Sequence, residues 1–318
     1  MEKYLSNWIT IIDGIKNDNT YKASWGRAII ECIMEKQYEV VEDEVIIEEY
    51  FIVQKILKYY WNLNCFFKLS QGDFLVIEKV TKEISEDYYL RKKHNNPVWY
   101  NEVEIFLKRK QIKFEKIINR IMKIVNKNIA YRFLNHRSKK IKLYKLDLKN
   151  KALRFKVTEV ETIKNYSKIL NDLINSKWAL YLENYNNSPF LQRKVIDSAS
   201  SNLKKINLRS IKNILVQYFH TEGLKDFYTG EHIEYKDIKM VHVIPYNYIY
   251  SNNIWNLVIT DKQTKVKLIP SNEDMEKLKA RNILLLKELK NVSNKEKQDL
   301  ENVVNNNLLD KCFMDMRG

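Results

Sequence analysis

Between Asp226 and Pro270 the chain reads DFYTGEHIEYKDIKMVHVIPYNYIYSNNIWNLVITDKQTKVKLIP, and this stretch decides how the C-terminal third folds. A strand-like run, Ile238–Ile244, ends in His242-Val243-Ile244-Pro245. A polar loop rich in Tyr and Asn follows, and a second strand, Ile254–Thr260, holds Trp255-Asn256-Leu257. After a lysine-rich turn, Ser271 is a candidate N-cap for a helix from about Asn272 to about Lys290. Strand, loop, strand, helix is the order of a ββα unit.

Upstream of this unit the chain reads as mainly helical. Helical spacing runs over 4–17 (Trp8, Ile11, Ile12) and 20–38 (Trp25, Ile29, Ile30, Ile33), then over about 45–62 behind the acidic stretch Glu42-Asp43-Glu44. Gly72-Asp73 marks a turn before a helix at about 73–90, and Arg91–Pro97 reads as a basic turn. One or two basic amphipathic helices cover Asn101–Lys127, with Ile105, Ile117, Ile121 and Val125 on the apolar stripe. A hairpin is expected over 141–158, from alternation in Ile141–Leu146 and Leu153–Val157 around Asn150-Lys151. A helix followed by a Lys/Arg-faced hairpin is the order of a winged helix-turn-helix, in which the wing touches phosphates. Residues 160–186 and 200–220 read as further helices. The expected organisation is a helical region at 1–90, a basic helical region at 91–200, the ββα module at 203–292 and a helical tail at 293–318.

Charge is unevenly spread over the 318 residues, whose formal net charge is +15. Residues 1–90 carry 10 Lys/Arg against 16 Asp/Glu, whereas 91–150 carry 18 against 4. So concentrated a positive segment is the footprint of a phosphate-binding face, or else a solvated charged helix surface. Lys108, Arg109, Lys113, Lys116, Arg120, Arg137, Lys139, Lys140, Lys142 and Lys145 are the candidate nucleic-acid contacts, and the acidic first third is a candidate for protein contacts or a homodimer. The three cysteines lie far apart without a CxxC pair, which argues against a disulfide framework and a zinc ribbon. No leader and no 18-residue apolar stretch is visible, so a soluble, cytoplasmic protein with no membrane partner is expected.

The segment around His242 resembles the HNH endonuclease family, whose motif runs D-H-x-x-P, then N-L about fourteen residues on, then Asn or His near the helix start. His242 and Pro245 match the first element and Asn256-Leu257 the second. Ile254-Trp255-Asn256-Leu257 is similar to the branch reading C-F-Y-C-G … D-H-F-I-P-W-S … W-N-L. That branch also has a helical opening similar to Thr20-Tyr21-Lys22-Ala23 through Ala28-Ile29-Ile30-Glu31. The resemblance implies that His242 is the general base activating the attacking water, that Asn256 braces its loop, and that one divalent cation, commonly magnesium, stabilises the phosphodiester transition state.

Four positions depart from the pattern. Val241 stands where the family has a metal-binding Asp, and Lys265 stands where it has Asn or His. Asp226-Phe227-Tyr228-Thr229 replaces C-F-Y-C, so no zinc is expected. Either Lys265 supplies positive charge in place of the ion, or Asp237, Asp261 or Glu234 serves as a carboxylate ligand. Tyr246, Tyr248 and Tyr250 alternate in the loop, suited to stacking on bases or to packing the loop itself. Two functions are expected from this reading: a restriction- or defence-type DNA endonuclease, or a degenerate HNH fold that binds nucleic acid or a partner without cleaving it. An RNA-directed activity is a third, weaker reading.

Overall fold

Eleven of the fourteen residues of the second helix are buried, which makes it the axis of the N-terminal unit. In this computed structural model the described residues are 2–15, 20–72, 76–93, 96–137, 139–203, 207–220, 223–288 and 294–317. The chain divides into two compact units, one of residues 1–186 with 191–203, the other of residues 187–190 with 204–318. The described structure is mainly helical with small antiparallel sheets, and no helix in it is long and apolar enough to cross a membrane. The expected bounds at 16–17, 73–75 and 289–290 lie outside the described residues.

The first unit is built from α1 (Glu2–Asp13), α2 (Tyr21–Met34), β1 (Glu39–Val41), β2 (Glu44–Glu48), α3 (Glu49–Tyr60), α4 (Val76–Lys92), α5 (Tyr100–Lys108), α6 (Gln111–Asn128), β3 (Asn135–His136), β4 (Lys139–Lys140), β5 (Lys145–Asp147), β6 (Ala152–Lys156), α7 (Val157–Glu183) and α8 (Leu191–Asp197). Small residues on α2 admit its neighbours: a Cβ on Gly26 would stand 2.9 Å from the Phe133 ring. Arg27, 4% exposed, donates to the Val195 and Ile196 carbonyls at the end of α8 at 2.6 and 2.7 Å. It thereby answers acceptors that a helix C-terminus leaves unbonded.

Three expectations are corrected here. The helix expected from residue 45 begins at Glu49, because Val45, Ile46 and Ile47 pair with β6 (Ile46↔Arg154, Ile47↔Leu153) instead. The hairpin expected at 141–158 forms over the narrower span 145–156, and β2 engages its second strand in a four-stranded sheet of order β1-β2-β6-β5. The hairpin is therefore part of that sheet, with β5 at its edge. Nor do residues 1–90 and 91–200 part into separate regions. Asn126 of α6 donates to Glu49 of α3, and Arg120 and Lys113 of α6 pair with Glu83 and Asp87 of α4.

The second unit holds α9 (Arg209–His220), β7 (Ile238–His242), α10 (Tyr246–Ile249), β8 (Leu257–Asp261), α11 (Asn272–Glu288), α12 (Asn294–Asn305) and α13 (Leu308–Arg317). Strands β7 and β8 form an antiparallel hairpin with Ile238↔Asp261 at one end and His242↔Leu257 at the other. Helix α11 packs on its connecting turn, giving the ββα order. Ser271 caps α11 as expected: the Asp274 amide donates to its Oγ at 3.2 Å, and Asp274 Oδ2 accepts from the Ser271 hydroxyl and amide. The core is Leu215, Ile244, Ile249, Trp255, Leu257, Leu278, Leu285 and their neighbours. Leu300, Val303 and Leu309 join it, so the expected tail at 293–318 belongs to this unit.

Candidate active site

The β7–β8 hairpin brings His242 and Asn256 to the same end. Asn256 is fully buried, and its amide spans the connecting loop: Oδ1 accepts from Ile244 N–H at 2.8 Å and Nδ2 donates to Ile244 O at 2.8 Å. A third bond, Val243 N–H to Asn256 O at 3.0 Å, continues the ladder beyond His242. Both backbone groups of Ile244 are thus satisfied by one side chain, which stops β7 two residues earlier than the apolar run predicts. Asn256 therefore braces the segment that follows the histidine.

His242 is half-buried. Its Nε2 lies 3.1 Å from Asn252 Oδ1, and its ring centroid is 5.2 Å from that of Tyr246. Burial pushes the imidazole pKa below its ordinary value, against opposing hydrogen bonds from the Asn252 side chain and the Ser251 backbone. The ring is consequently neutral near pH 7, with Asn252 orienting it. Tyr250 adopts a left-handed conformation (φ 47°) and is 1% exposed with its ring 5.3 Å from that of Tyr246. A buried side chain at positive φ is held there by its surroundings. Tyr246 and Tyr250 thus pack the loop, and the Tyr248 hydroxyl donates to Asn187 O at 3.1 Å.

The candidate metal ligands do not join His242. Asp261 pairs with Ile238 at the far end of the hairpin, four residues from His242 along β7, which is about 13 Å of strand. Asp261 Oδ1 accepts the Gln263 amide, Asp237 lies 3.7 Å from Lys262 Nζ, and Glu234 pairs with Lys236. Lys265 is exposed beyond that same far end, with no hydrogen bond or ion pair to His242. Among the described residues no group of three or more His, Cys, Asp or Glu side chains is placed to share a metal ion. An imidazole and an amide, without a carboxylate, are a poor donor set for a hard divalent cation, which takes oxygen ligands and favours carboxylates.

Where the resemblance implies a first cysteine, Asp226 is the hub of a hydrogen-bond cluster. It is 3% exposed and accepts five bonds: Tyr228 N–H (2.8 Å) and Thr229 N–H (3.0 Å) on Oδ1, and Thr260 Oγ1 (2.7 Å), Asp261 N–H (2.7 Å) and Thr264 Oγ1 (2.8 Å) on Oδ2. Desolvation raises its pKa, but these bonds together outweigh it and bring the carboxyl to about 2. Arg281 on α11 secures the other side of the hairpin, donating to the carbonyls of Ile254, Trp255 and Leu257 at 3.1 Å each, while Asn282 Nδ2 donates to Trp255 O at 3.0 Å. The sequence offers no reading of Asn252 or Arg281, and of Asp226 only that it stands in place of a cysteine. One Arg in a charged helix and one Asp before an aromatic pair look like surface residues.

The ten candidate nucleic-acid contacts all lie in the first unit and are all exposed. Lys108 pairs with Glu104, Lys113 with Asp87 and Arg120 with Glu83. Arg109, Lys116, Arg137, Lys139, Lys140, Lys142 and Lys145 have no carboxylate partner among the described residues. No family model, curated protein or solved structure matches this chain.

Proposed function

We propose that the protein binds nucleic acid, DNA foremost, and carries a degenerate HNH-type ββα module that keeps the motif histidine and its bracing asparagine without the acidic groups of metal-dependent cleavage. The observation that carries this reading is the pairing at the site: His242 has an amide, Asn252, beside it, and the candidate carboxylates Asp237 and Asp261 stand at the opposite end of the hairpin. The unpaired cations of residues 109–145 supply sequence-independent affinity that falls steeply with salt. A second reading, an active endonuclease, is favoured by one feature: His242 is neutral near pH 7 and oriented, as a general base must be.

Plasmid nicking with magnesium, manganese or EDTA, comparing wild type with His242→Ala, decides between them. Tight, salt-sensitive DNA binding that is unchanged by EDTA and by His242→Ala, with no nicking, is the expected result. Metal-dependent nicking lost in His242→Ala would overturn the degenerate reading in favour of the nuclease. Competition with single-stranded RNA distinguishes the nucleic acid preferred.

A further inference from the structure

A cavity of about 360 Å³ opens in the second unit between α9, the β7–β8 hairpin and α11, apart from His242. Its walls are largely apolar, with Phe219, Phe227, Ile259 and Leu284 among them. Three cations line it as well: Lys225, Lys277 and Arg281. Leu284 is 54% exposed at its edge, so the cavity reaches solvent. Its size lies within the range of small-molecule sites, about 300–1,000 Å³.

Arg281 decides what such a cavity takes. The side chain is 8% exposed, and three of its terminal N–H groups are bonded to the carbonyls of Ile254, Trp255 and Leu257. Nε–H is buried with no acceptor, and among the described residues no carboxylate pairs with the guanidinium. The acidic residue of the lining, Asp226, is engaged by its five donors and points its charge at them. A buried cation held by carbonyl dipoles alone is costly unless an anion reaches it. The desolvation is felt: it lowers the Arg281 pKa to about 9. Three of the five guanidinium N–H groups go to carbonyls, so the charge is met by dipoles and by no anion. Lys225 is exposed and Lys277, although paired with Glu273 at 2.8 Å, is 43% exposed, so both remain available to an entering anion.

We propose that this cavity is a binding site for a small carboxylic acid with an aromatic or branched apolar body, its carboxylate drawn to the positive charge of Lys225, Lys277 and Arg281 and its body against Phe219, Phe227 and Leu284. The inference is independent of the nucleic-acid reading.

The test is titration calorimetry of the full chain with 1-naphthoate and with the neutral 1-naphthalenemethanol. Three proteins are compared: wild type, Ala280→Phe and the double variant Lys225→Gln/Lys277→Gln. Ala280 is an exposed helical position lining the cavity, so its replacement fills the entrance without touching the bonds Arg281 makes. The acid is expected to saturate one site at least tenfold more tightly than the alcohol, to lose binding in Ala280→Phe, and to weaken severalfold in the double variant while the alcohol does not. Absence of saturable binding, an alcohol as tight as the acid, or undiminished binding to Ala280→Phe would each overturn the proposal. Circular dichroism of the variants confirms that each loss belongs to the cavity and not to the fold.

Discussion

Replacing Asp226 by Asn keeps the shape of the side chain while removing its charge, and sets an amide N–H₂ against backbone N–H groups that can only donate. The five bonds hold the carboxyl at about 2 against an ordinary 3.8. At 1.36 kcal/mol per pH unit that gap corresponds to about 2 kcal/mol of folding stability. Asp226 is 3% exposed, so solvent screening takes little from the figure. A donor left facing a donor adds a further penalty of about 1–3 kcal/mol. The folded-state value is the depressed one, so the charge contribution is fully present above pH 4 and is lost as pH falls from about 4 towards 2. Asp226→Asn should therefore unfold the second unit at least 2 kcal/mol more easily at pH 7, and the gap to wild type should narrow below pH 4. Hydrogen exchange of peptides spanning 226–230 and 257–264 reads this locally, because the amides of Tyr228, Thr229 and Asp261 are themselves donors to the carboxylate. Equal protection in both proteins at pH 7, or a gap that does not change with acid, would refute the reasoning.

Other outcomes follow from the same geometry. Asn256→Ala should cost about 2–4 kcal/mol in urea denaturation, since it strips both buried backbone groups of Ile244, whereas the half-buried neighbour Asn253→Ala should cost less than about 1. The His242 ring should titrate below 6.5 by NMR. The lowered value means that stability held above pH 6.5 declines as pH falls, and Asn252→Ala should bring the midpoint lower still by removing a bond that raises it. Glu49, fully buried, has its pKa raised by desolvation against a bond from Asn126, and leaves Oε1 bare beside the bare Asn126 Oδ1. Glu49→Gln should raise the unfolding free energy from urea denaturation by about 1 kcal/mol or more at pH 8, with a smaller gain at pH 5 where the native carboxyl is closer to neutral; a lowered stability at both values would count against that account.

The ββα order was legible because local signals agree there: two apolar runs, a polar loop between them, and Ser271 ahead of a helix. The strand ends were less so. Whether β7 stops at His242 or Ile244 depends on Asn256, fourteen residues away, and a side chain's claim on a distant backbone leaves no local trace. The same holds at residue 45. Val45-Ile46-Ile47 runs into Tyr50–Tyr60 without Gly or Pro to mark a change, and only pairing with residues more than a hundred positions later makes it a strand. At the site, motif spacing located His242 and Asn256. It could not show that Asp237 and Asp261 fall at the wrong end of the hairpin, which depends on register. Asn252, Asp226 and Arg281 acquire their roles from burial, and burial of a polar residue is what composition least reveals.

The partition of the chain has a practical consequence for anyone wishing to cut it. Residues 187–190 belong with 204–318, while 191–203 return to the N-terminal unit, so the backbone passes between the units three times. A fragment starting at 204 would forfeit the Asn187 carbonyl that anchors the Tyr248 hydroxyl, close in sequence to the histidine loop. A fragment starting at 187 would retain it but drag α8 along without the helix whose Arg27 caps its end. Neither half is a clean excision, and a linear gene fusion or truncation that respects one unit damages the other. Probing the two units separately therefore calls for point variants in the full chain rather than dissection.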